Sequence, residues 1–386
     1  MRVNVVADLL EEHWPSMDLV ADMLMSHLGR NGVPVSPVLV RPVFPMRLQS
    51  GTGADADRRP LTIERIAHRF WDYPRWLRKQ PAADVYHIVD HSYAHLANEL
   101  PDGRVVTTCH DADAFRTLLF PDRRESSLPR FLVKRVLDGL QRATVVVCDS
   151  HATRADLVDH QLIPADRTTV VPLGIHPSCS AAPDDEADRA AAKLTGPAGE
   201  SDLLHVGSTI DRKRIDLLLD VLSQVAAMRP GVRLWRVGGA FTAAQAARVR
   251  DLGLANRIQV LPFVTRPVLA ALYRRAALVV LPSDREGFGL SVAEALACGT
   301  PILASDLPVL RETGGRAAEY CPAGDAQTWA ARVVALLEER ESDSTAWEER
   351  RRAGLEHARL FSWDRYAGEM ERLYSRLAAG EVGGWS

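Results

Sequence analysis

The stretch Ala277-Leu278-Val279-Val280-Leu281-Pro282-Ser283-Asp284-Arg285-Glu286-Gly287-Phe288-Gly289-Leu290-Ser291-Val292-Ala293-Glu294-Ala295-Leu296-Ala297-Cys298-Gly299-Thr300-Pro301 decides the fold, because it reads as strand, glycine turn, helix and stop. Residues 277–281 are a short apolar run closed by Pro282, the pattern of a strand buried on both faces of a parallel sheet. Gly287 and Gly289 permit backbone angles and ligand approach that a Cβ obstructs. Val292, Ala295, Leu296 and Cys298 then follow helical spacing, and Gly299 and Pro301 stand just past the helix end.

A strand that feeds a helix through such a turn leaves unpaired N–H groups at the carboxyl edge of its sheet, where a phosphate can sit. Glu286 and Glu294 flank the turn. Carboxylates repel phosphate, so their expected partners are hydroxyl groups, with the phosphate charge left to backbone amides and to cations elsewhere in the chain. A ligand carrying phosphates between two polyols uses all of these groups. That ligand is a nucleoside-diphosphate sugar.

Glu286-Gly287-Phe288-Gly289-Leu290 with Glu294, an E-x7-E spacing, followed by Glu294-Ala295-Leu296-Ala297-Cys298-Gly299-Thr300-Pro301, resembles the signature of the retaining glycosyltransferases of family 4 (group 1 glycosyltransferases). The resemblance covers residues 200–322 and, more weakly, 84–175. It implies an α/β protein of the GT-B fold, in which two Rossmann-like domains face each other across a deep cleft. The first domain would bind the acceptor and the second the nucleotide sugar.

The rest of the chain fits that frame. At 386 residues it exceeds the roughly 250–300 at which single cores stop growing, so two domains are expected. Hydrophobic residues at 46% and charged residues at 25% are ordinary for a soluble protein. No run approaches the ~18 apolar residues of a membrane-spanning helix. Met1 leads directly into strand-like Arg2-Val3-Asn4-Val5-Val6, which predicts a cytoplasmic protein. Cys109, Cys148, Cys179, Cys298 and Cys321 are widely spaced with no CxxC pair, favouring buried free thiols over a disulfide framework or structural zinc. A net charge of −3 gives no nucleic-acid footprint.

In residues 1–175, candidate strands at 3–6, 35–40, 85–89, 105–108, 144–148 and 168–171 alternate with amphipathic stretches, as in a parallel sheet. The loop 7–14 has no glycine, although many members of the resembled family have a glycine-rich loop there. Ser16 is the expected cap of the following helix, and Trp14 either lines the acceptor side or packs as a staple. Residues 41–60 read as an exposed loop. Phe70, Trp71, Tyr73 and Trp76 are interleaved with Arg65, Arg69, Arg75, Arg78 and Lys79. Such a stretch can make a weak peripheral membrane contact, or hold an anionic acceptor or single-stranded nucleic acid. The favoured alternative is a helix whose aromatics face the core while its arginines snorkel, and residues 123–135 read the same way.

His87 and His91, and then His110, stand at carboxyl ends of strands, where open α/β sheets bind ligands. The resemblance places a histidine matching His110 near the donor sugar, as a catalytic residue that aligns the donor from across the cleft. His87 and His91 are read as structural. Asp55-Ala56-Asp57 and Asp111-Ala112-Asp113 each match Asp-x-Asp, a spacing that can hold a divalent ion, but neither sits in the expected context. No catalytic metal and no cofactor are expected.

Ser150 is a helix cap, and residues 176–200, rich in Pro, Ala, Asp and Gly, read as a linker. The division expected is an acceptor domain of 1–175 plus a returning C-terminal helix in 362–386, and a donor domain of 176–361. The second domain opens with Leu203-Leu204-His205-Val206-Gly207-Ser208-Thr209-Ile210-Asp211-Arg212-Lys213-Arg214, another strand and glycine turn before a helix at 215–227. The resemblance assigns Arg212 and Lys213 to the donor diphosphate, with Gly207, Gly287, Phe288, Gly289 and Leu290 offering backbone. Many relatives have arginine where Ser208 stands. Val237-Gly238-Gly239 is either a further nucleotide contact or a simple turn, and residues 262–266 resemble a base-proximal loop. Further strands are expected at 232–237, 257–261 and 301–304, and helices at 327–340, 346–359 and 363–377.

These readings combine into a retaining, metal-independent hexosyltransferase that uses a nucleoside-diphosphate sugar. Glu286, a catalytic residue in this reading together with His110, holds the sugar hydroxyls, and Glu294 holds the ribose. Two alternatives stand beside it: an epimerase or phosphorylase on the same fold, and a non-catalytic sugar-nucleotide-binding subunit. The sequence assigns no acceptor, sugar, base or oligomeric state.

Overall fold

The computed structural model describes residues 1–12, 14–30, 32–44, 63–120, 127–381 and 383–385. The Asp55-Ala56-Asp57 motif, residues 45–60 of the expected loop and residues 123–126 lie outside the described residues. Contacts divide the chain into two units: the described residues up to Gly174 with those from Phe361 onward, and Ile175–Leu360.

In the first unit, β1 (Arg2–Val6), β2 (Ser36–Val40), β3 (Val85–Ile88), β4 (Val105–Cys109), β5 (Val145–Cys148) and β6 (Thr168–Val170) form one parallel sheet of order β2-β1-β3-β4-β5-β6. Strands β3, β4 and β5 are buried along their whole length, as their near-continuous apolar runs require when helices cover both faces. In the second unit, β7 (Asp202–Val206), β8 (Arg233–Val237), β9 (Ile258–Leu261), β10 (Leu278–Leu281), β11 (Ile302–Ser305) and β12 (Glu319–Cys321) give the order β12-β11-β10-β7-β8-β9, again all parallel. Each unit is a Rossmann-like layer of sheet and helices.

Several expectations are corrected. The helix Pro15–His27 begins one residue before Ser16: Trp14 is its cap residue, and no side chain caps it. Proline at the first helical position explains the start, since its missing N–H is one the helix would leave unbonded anyway. Residues 176–200 are not all linker, because Asp185–Thr195 is a helix capped by the Asp184 carboxylate on the Ala187 N–H at 3.0 Å. Arg274 fastens it, pairing with Asp188 at 2.6 Å. In the basic–aromatic stretch the favoured reading holds for Phe70 and Tyr73, which are buried, and for Trp76, which packs on the core; Trp71 departs from it and is exposed. A π-helical turn, His68–Asp72, lies within it.

The helix Trp363–Ala378 belongs to the first unit and turns Trp363, Tyr366, Met370, Tyr374 and Leu377 inward. Tyr374 meets His87 Nδ1 at 2.6 Å, and His87 Nε2 meets Thr108 at 2.7 Å. Burial holds the His87 imidazole down to about 3, so it is neutral and structural. The buried Glu371 carboxylate accepts the Gly29 N–H at 2.6 Å.

The helix Ser127–Arg142 packs on the turns of His91–Glu99 through Gly139. A Cβ there would run into the Ala94 carbonyl and lie 2.6 Å from the His95 Cα, both backbone and unable to swing aside. Gly139→Ala is therefore expected to cost about 1–3 kcal/mol, the range for overpacking. The check is the urea midpoint; a variant as stable as the parent contradicts this packing.

Candidate functional site

In the second sheet β7 has β8 on one side and β10 on the other, so the connections leaving β7 and β10 diverge. Ligands of open α/β sheets bind in the crevice that such a divergence creates at the carboxyl edge. The segments 207–214 and 282–289 leave from that point and are stitched together. The Asp284 N–H donates to the Arg212 carbonyl at 2.8 Å, and Arg212 Nη1 donates to the Arg285 carbonyl at 2.8 Å. Arg214 bonds Asp284 at 2.9 Å and grips Asp216 with a second edge of its guanidinium at 2.8 Å. These contacts hold Arg214 at φ +48°, a left-handed conformation unusual for a side-chain-bearing residue.

Glu286 lies at the middle of the stitch. Lys213 Nζ donates to its Oε1 at 2.6 Å and Arg212 Nη1 to its Oε2 at 3.0 Å. Its side chain is 8% exposed. Burial pushes the carboxyl up, but Lys213 and Arg212 outweigh it and hold Glu286 down to about 2. Two cations share one carboxylate, so the three groups carry one net positive charge at neutral pH. The sequence assigned Glu286 to hydroxyls and the cations to phosphate; the structure joins all three.

Gly289 precedes the helix Leu290–Ala297 at φ +87°, and a Cβ on it would lie 2.6 Å from Leu310 Cδ2. Its carbonyl accepts the Val292 N–H at 2.8 Å, which closes the first turn of the helix. Phe288 is buried, and Thr313 Oγ1 donates to its carbonyl. Gly207 pairs its N–H with the Val237 carbonyl at 2.9 Å. Gly238 approaches it so closely, at φ +128°, that any Cβ would strike the Gly207 carbonyl. Val237-Gly238-Gly239 thus packs against Gly207.

Glu294 lies one turn into the helix and is 7% exposed. The Tyr273 hydroxyl donates to its Oε2 at 3.0 Å. Burial lifts the carboxyl to about 7, against the opposing influence of Tyr273 and Arg266. Its neutral form is therefore well populated near neutral pH, and in that form it both donates and accepts hydrogen bonds.

In the first unit, residues just beyond β3, β4 and β5 bring Asp90, His91, His110, Asp111 and Asp149 to one sheet edge. His110 Nδ1 meets Asp149 Oδ2 at 2.6 Å and Nε2 meets the Val89 carbonyl at 2.8 Å. Both partners are acceptors, so both ring nitrogens carry hydrogen. Burial alone would lower the imidazole, but Asp149 overrides it and holds His110 up to about 10. With both N–H groups so used, no ring donor is left for a sugar hydroxyl in this arrangement. His91 Nδ1 accepts the His110 N–H at 3.3 Å.

Among the described residues, no three His, Cys, Asp or Glu side chains gather as a metal site, and no helix is long and apolar enough to cross a membrane. Arg214, Tyr273, Asp149 and Asp8 were not singled out from sequence. Asp184-Asp185-Glu186 was the available sign of the overlooked helix, since acids favour a first turn.

Two family models match the chain: Glycosyltransferase Family 4 over residues 19–178 and Glycosyl transferases group 1 over residues 200–339. The chain is 33% identical over 287 residues to D-inositol 3-phosphate glycosyltransferase of Mycobacteroides abscessus, covering 71% of this chain and 61% of that protein. It is 28% identical to the enzyme of the same name from Segniliparus rotundus, over 76% of this chain and 67% of that protein. The match thus spans about three fifths to two thirds of these relatives. Sucrose-phosphate synthase from Thermosynechococcus elongatus superposes with a TM-score of 0.75 at 22% identity, covering 99% of this chain and 100% of that one. Anabaena HepE, in complex with UDP-glucose, superposes with a TM-score of 0.71 at 16% identity, over 99% of this chain and 100% of that one. With two all-parallel Rossmann-like units of the GT-B fold and both family models matched in order along it, the chain belongs to the group 1 glycosyltransferases of family 4.

Proposed function

We propose that this protein is a retaining, metal-independent glycosyltransferase that moves a hexose from a nucleoside-diphosphate sugar to an acceptor hydroxyl. The observation that carries the reading is Glu286 held between Arg212 and Lys213, beside the turn that leads to Glu294. A diphosphate meets a cluster with one positive charge to spare, Glu286 has acceptor capacity for sugar hydroxyls, and Glu294 can both give and take a hydrogen bond with a ribose diol. The UDP-glucose bound by HepE supports a UDP-hexose as the first donor to try. The names of the curated relatives, which include a phosphorylated polyol, inositol 3-phosphate, support a polyol hydroxyl as the acceptor.

Catalysis in this reading is positioning and charge stabilisation: Arg212 and Lys213 hold the departing diphosphate, which itself helps to deprotonate the acceptor on the same face of the sugar. The two cations supply the positive charge that a metal would otherwise bring, which favours metal independence. All five cysteines are buried free thiols, which fits a reducing cytoplasm.

Thermal shift with UDP, GDP, ADP and their sugars tests the reading. One nucleotide is expected to raise the melting temperature with occupancy. Because charge-assisted hydrogen bonds contribute about 1.5–3 kcal/mol each, Arg212→Ala with Lys213→Ala should weaken that nucleotide about a hundredfold or more. Unchanged affinity in the double variant sinks the phosphate assignment. Retention should show as an unchanged anomeric configuration by proton NMR of the product, and turnover should persist in EDTA.

Glu294 gives a pH dependence of known sign. Its folded carboxyl is raised to about 7 from 4.5, so its contribution to stability is complete below about 4.5 and is lost as pH rises through about 7. Glu294→Gln stays uncharged, so its melting temperature relative to the parent should improve between about pH 5 and pH 8 while nucleotide affinity falls. A difference that stays flat with pH contradicts the buried, raised carboxyl.

A further inference from the structure

The first sheet has its own point of divergence. Strand β1 lies between β2 and β3, so the connections leaving β1 and β3 part at their carboxyl ends, the position where open sheets receive ligands. The register pairs Val6 with Ile88, and the Val89 N–H continues the ladder onto the Val6 carbonyl at 3.0 Å. Two residues further on, Asp8 and Asp90 therefore stand across from each other.

The two carboxyls are not equivalent. Asp90 is occupied, accepting the Ser92 N–H at 2.8 Å and the Ser92 hydroxyl at 2.6 Å. Asp8 is 2% exposed, and its Oδ1 has no hydrogen-bond partner among the described residues. Glu11 Oε2, on the same loop, is likewise buried without one. Burial, and then the nearby Asp90 charge, lift Asp8 to about 7.

The glycine-free loop carrying Asp8 is fastened from several sides. Tyr73 shares its hydroxyl proton between the carbonyls of Ala7 at 2.6 Å and Val40 at 2.8 Å. Tyr93 accepts the Leu9 N–H at 3.3 Å, and Arg65 donates to the Glu11 carbonyl at 3.0 Å. Each of the two cations nearby already faces a carboxylate, Arg69 with Glu12 at 3.5 Å and Arg41 with Asp18 at 3.0 Å, although Arg41 Nε and Arg69 Nε have no hydrogen-bond partner among the described residues. The fastened residues thus present a buried carboxyl with one oxygen, Asp8 Oδ1, that has no hydrogen-bond partner among the described residues, in surroundings where the described acids outnumber the described bases. A buried carboxyl oxygen left without a hydrogen bond destabilises a fold, which marks it as a group kept for a ligand.

We propose that the divergence of β1 and β3 binds the acceptor, that Asp8 holds one of its hydroxyls, and that the acceptor is an uncharged polyol or sugar rather than a phosphorylated one. This rests on the glycosyltransferase reading above and adds the class of acceptor and the residue that selects it. Among the described residues a phosphate would meet Asp8, Asp90, Asp18, Glu11 and Glu12, against Arg41 and Arg69, whose charges are already balanced by Asp18 and Glu12.

The test uses the full chain, the nucleotide sugar found by thermal shift, and matched probes: myo-inositol, D-glucose and D-fructose, each against its monophosphate. An uncharged probe should accelerate nucleotide release more than its phosphate. Asp8→Asn should raise the KM for that probe at least tenfold, with a melting temperature equal to or above the parent's. Asp8→Glu, which keeps the carboxyl, should recover part of the affinity. Preference for the phosphates, no acceleration by any probe, an unchanged KM in Asp8→Asn, or a large fall in its melting temperature would each overturn the proposal. The nucleotide-induced shift in the same Asp8→Asn preparation separates the two readings: if it is present while the acceptor result is negative, the acceptor assignment alone fails. Should no nucleotide shift the parent chain, the donor assignment fails and takes this one with it.

Discussion

The donor-side geometry depends on one ion-pair arrangement, Glu286 between Arg212 and Lys213. Buried charges are tolerated only when paired and hydrogen-bonded, and removing one partner leaves an uncompensated charge in a poorly solvated place. Each member is therefore held by the others. The pairing also joins two segments that leave different strands, so the loop after β7 and the loop after β10 behave as one surface. Arg214 reinforces the join by reaching both Asp216 and Asp284.

The two units solve the same problem with different materials. In both, a parallel sheet gathers every strand's carboxyl end along one edge, and the strand order opens a gap beside the unit's first strand. The second unit fills that gap with glycine turns, a helix start and cations. The first fills it with a loop that has no glycine and takes its shape from tyrosine and arginine side chains reaching in from residues 65–93. Glycine allows backbone to come close to a ligand. Side-chain fastening allows a fixed carboxyl instead.

Much of this was legible in the sequence, and the limits have physical causes. The buried strands announced themselves because runs such as Val145-Val146-Val147 admit few other readings. Glu286, Arg212 and Lys213 were each assigned to one ligand, but their mutual contact spans 73 and 74 residues and depends on β7 neighbouring β10, which local pattern does not encode. The commitment of His110 to Asp149 was hidden for the same reason. The helix Asp185–Thr195 was overlooked although Asp184, its acidic first turn and Gly196 are proper boundary signals, because its small alanine face resembles linker composition. Strand β12, three residues long, is too short to show any period.

The histidine at the end of β4 carries a last consequence. An imidazole that gives one hydrogen to a carboxylate and the other to a peptide oxygen has no lone pair to offer and no proton that it can release without breaking a buried contact. It keeps its charge across the range in which imidazoles ordinarily lose theirs. Whatever His110 contributes to a neighbouring ligand is then a steady electric field, and acid–base shuttling must be done by other groups.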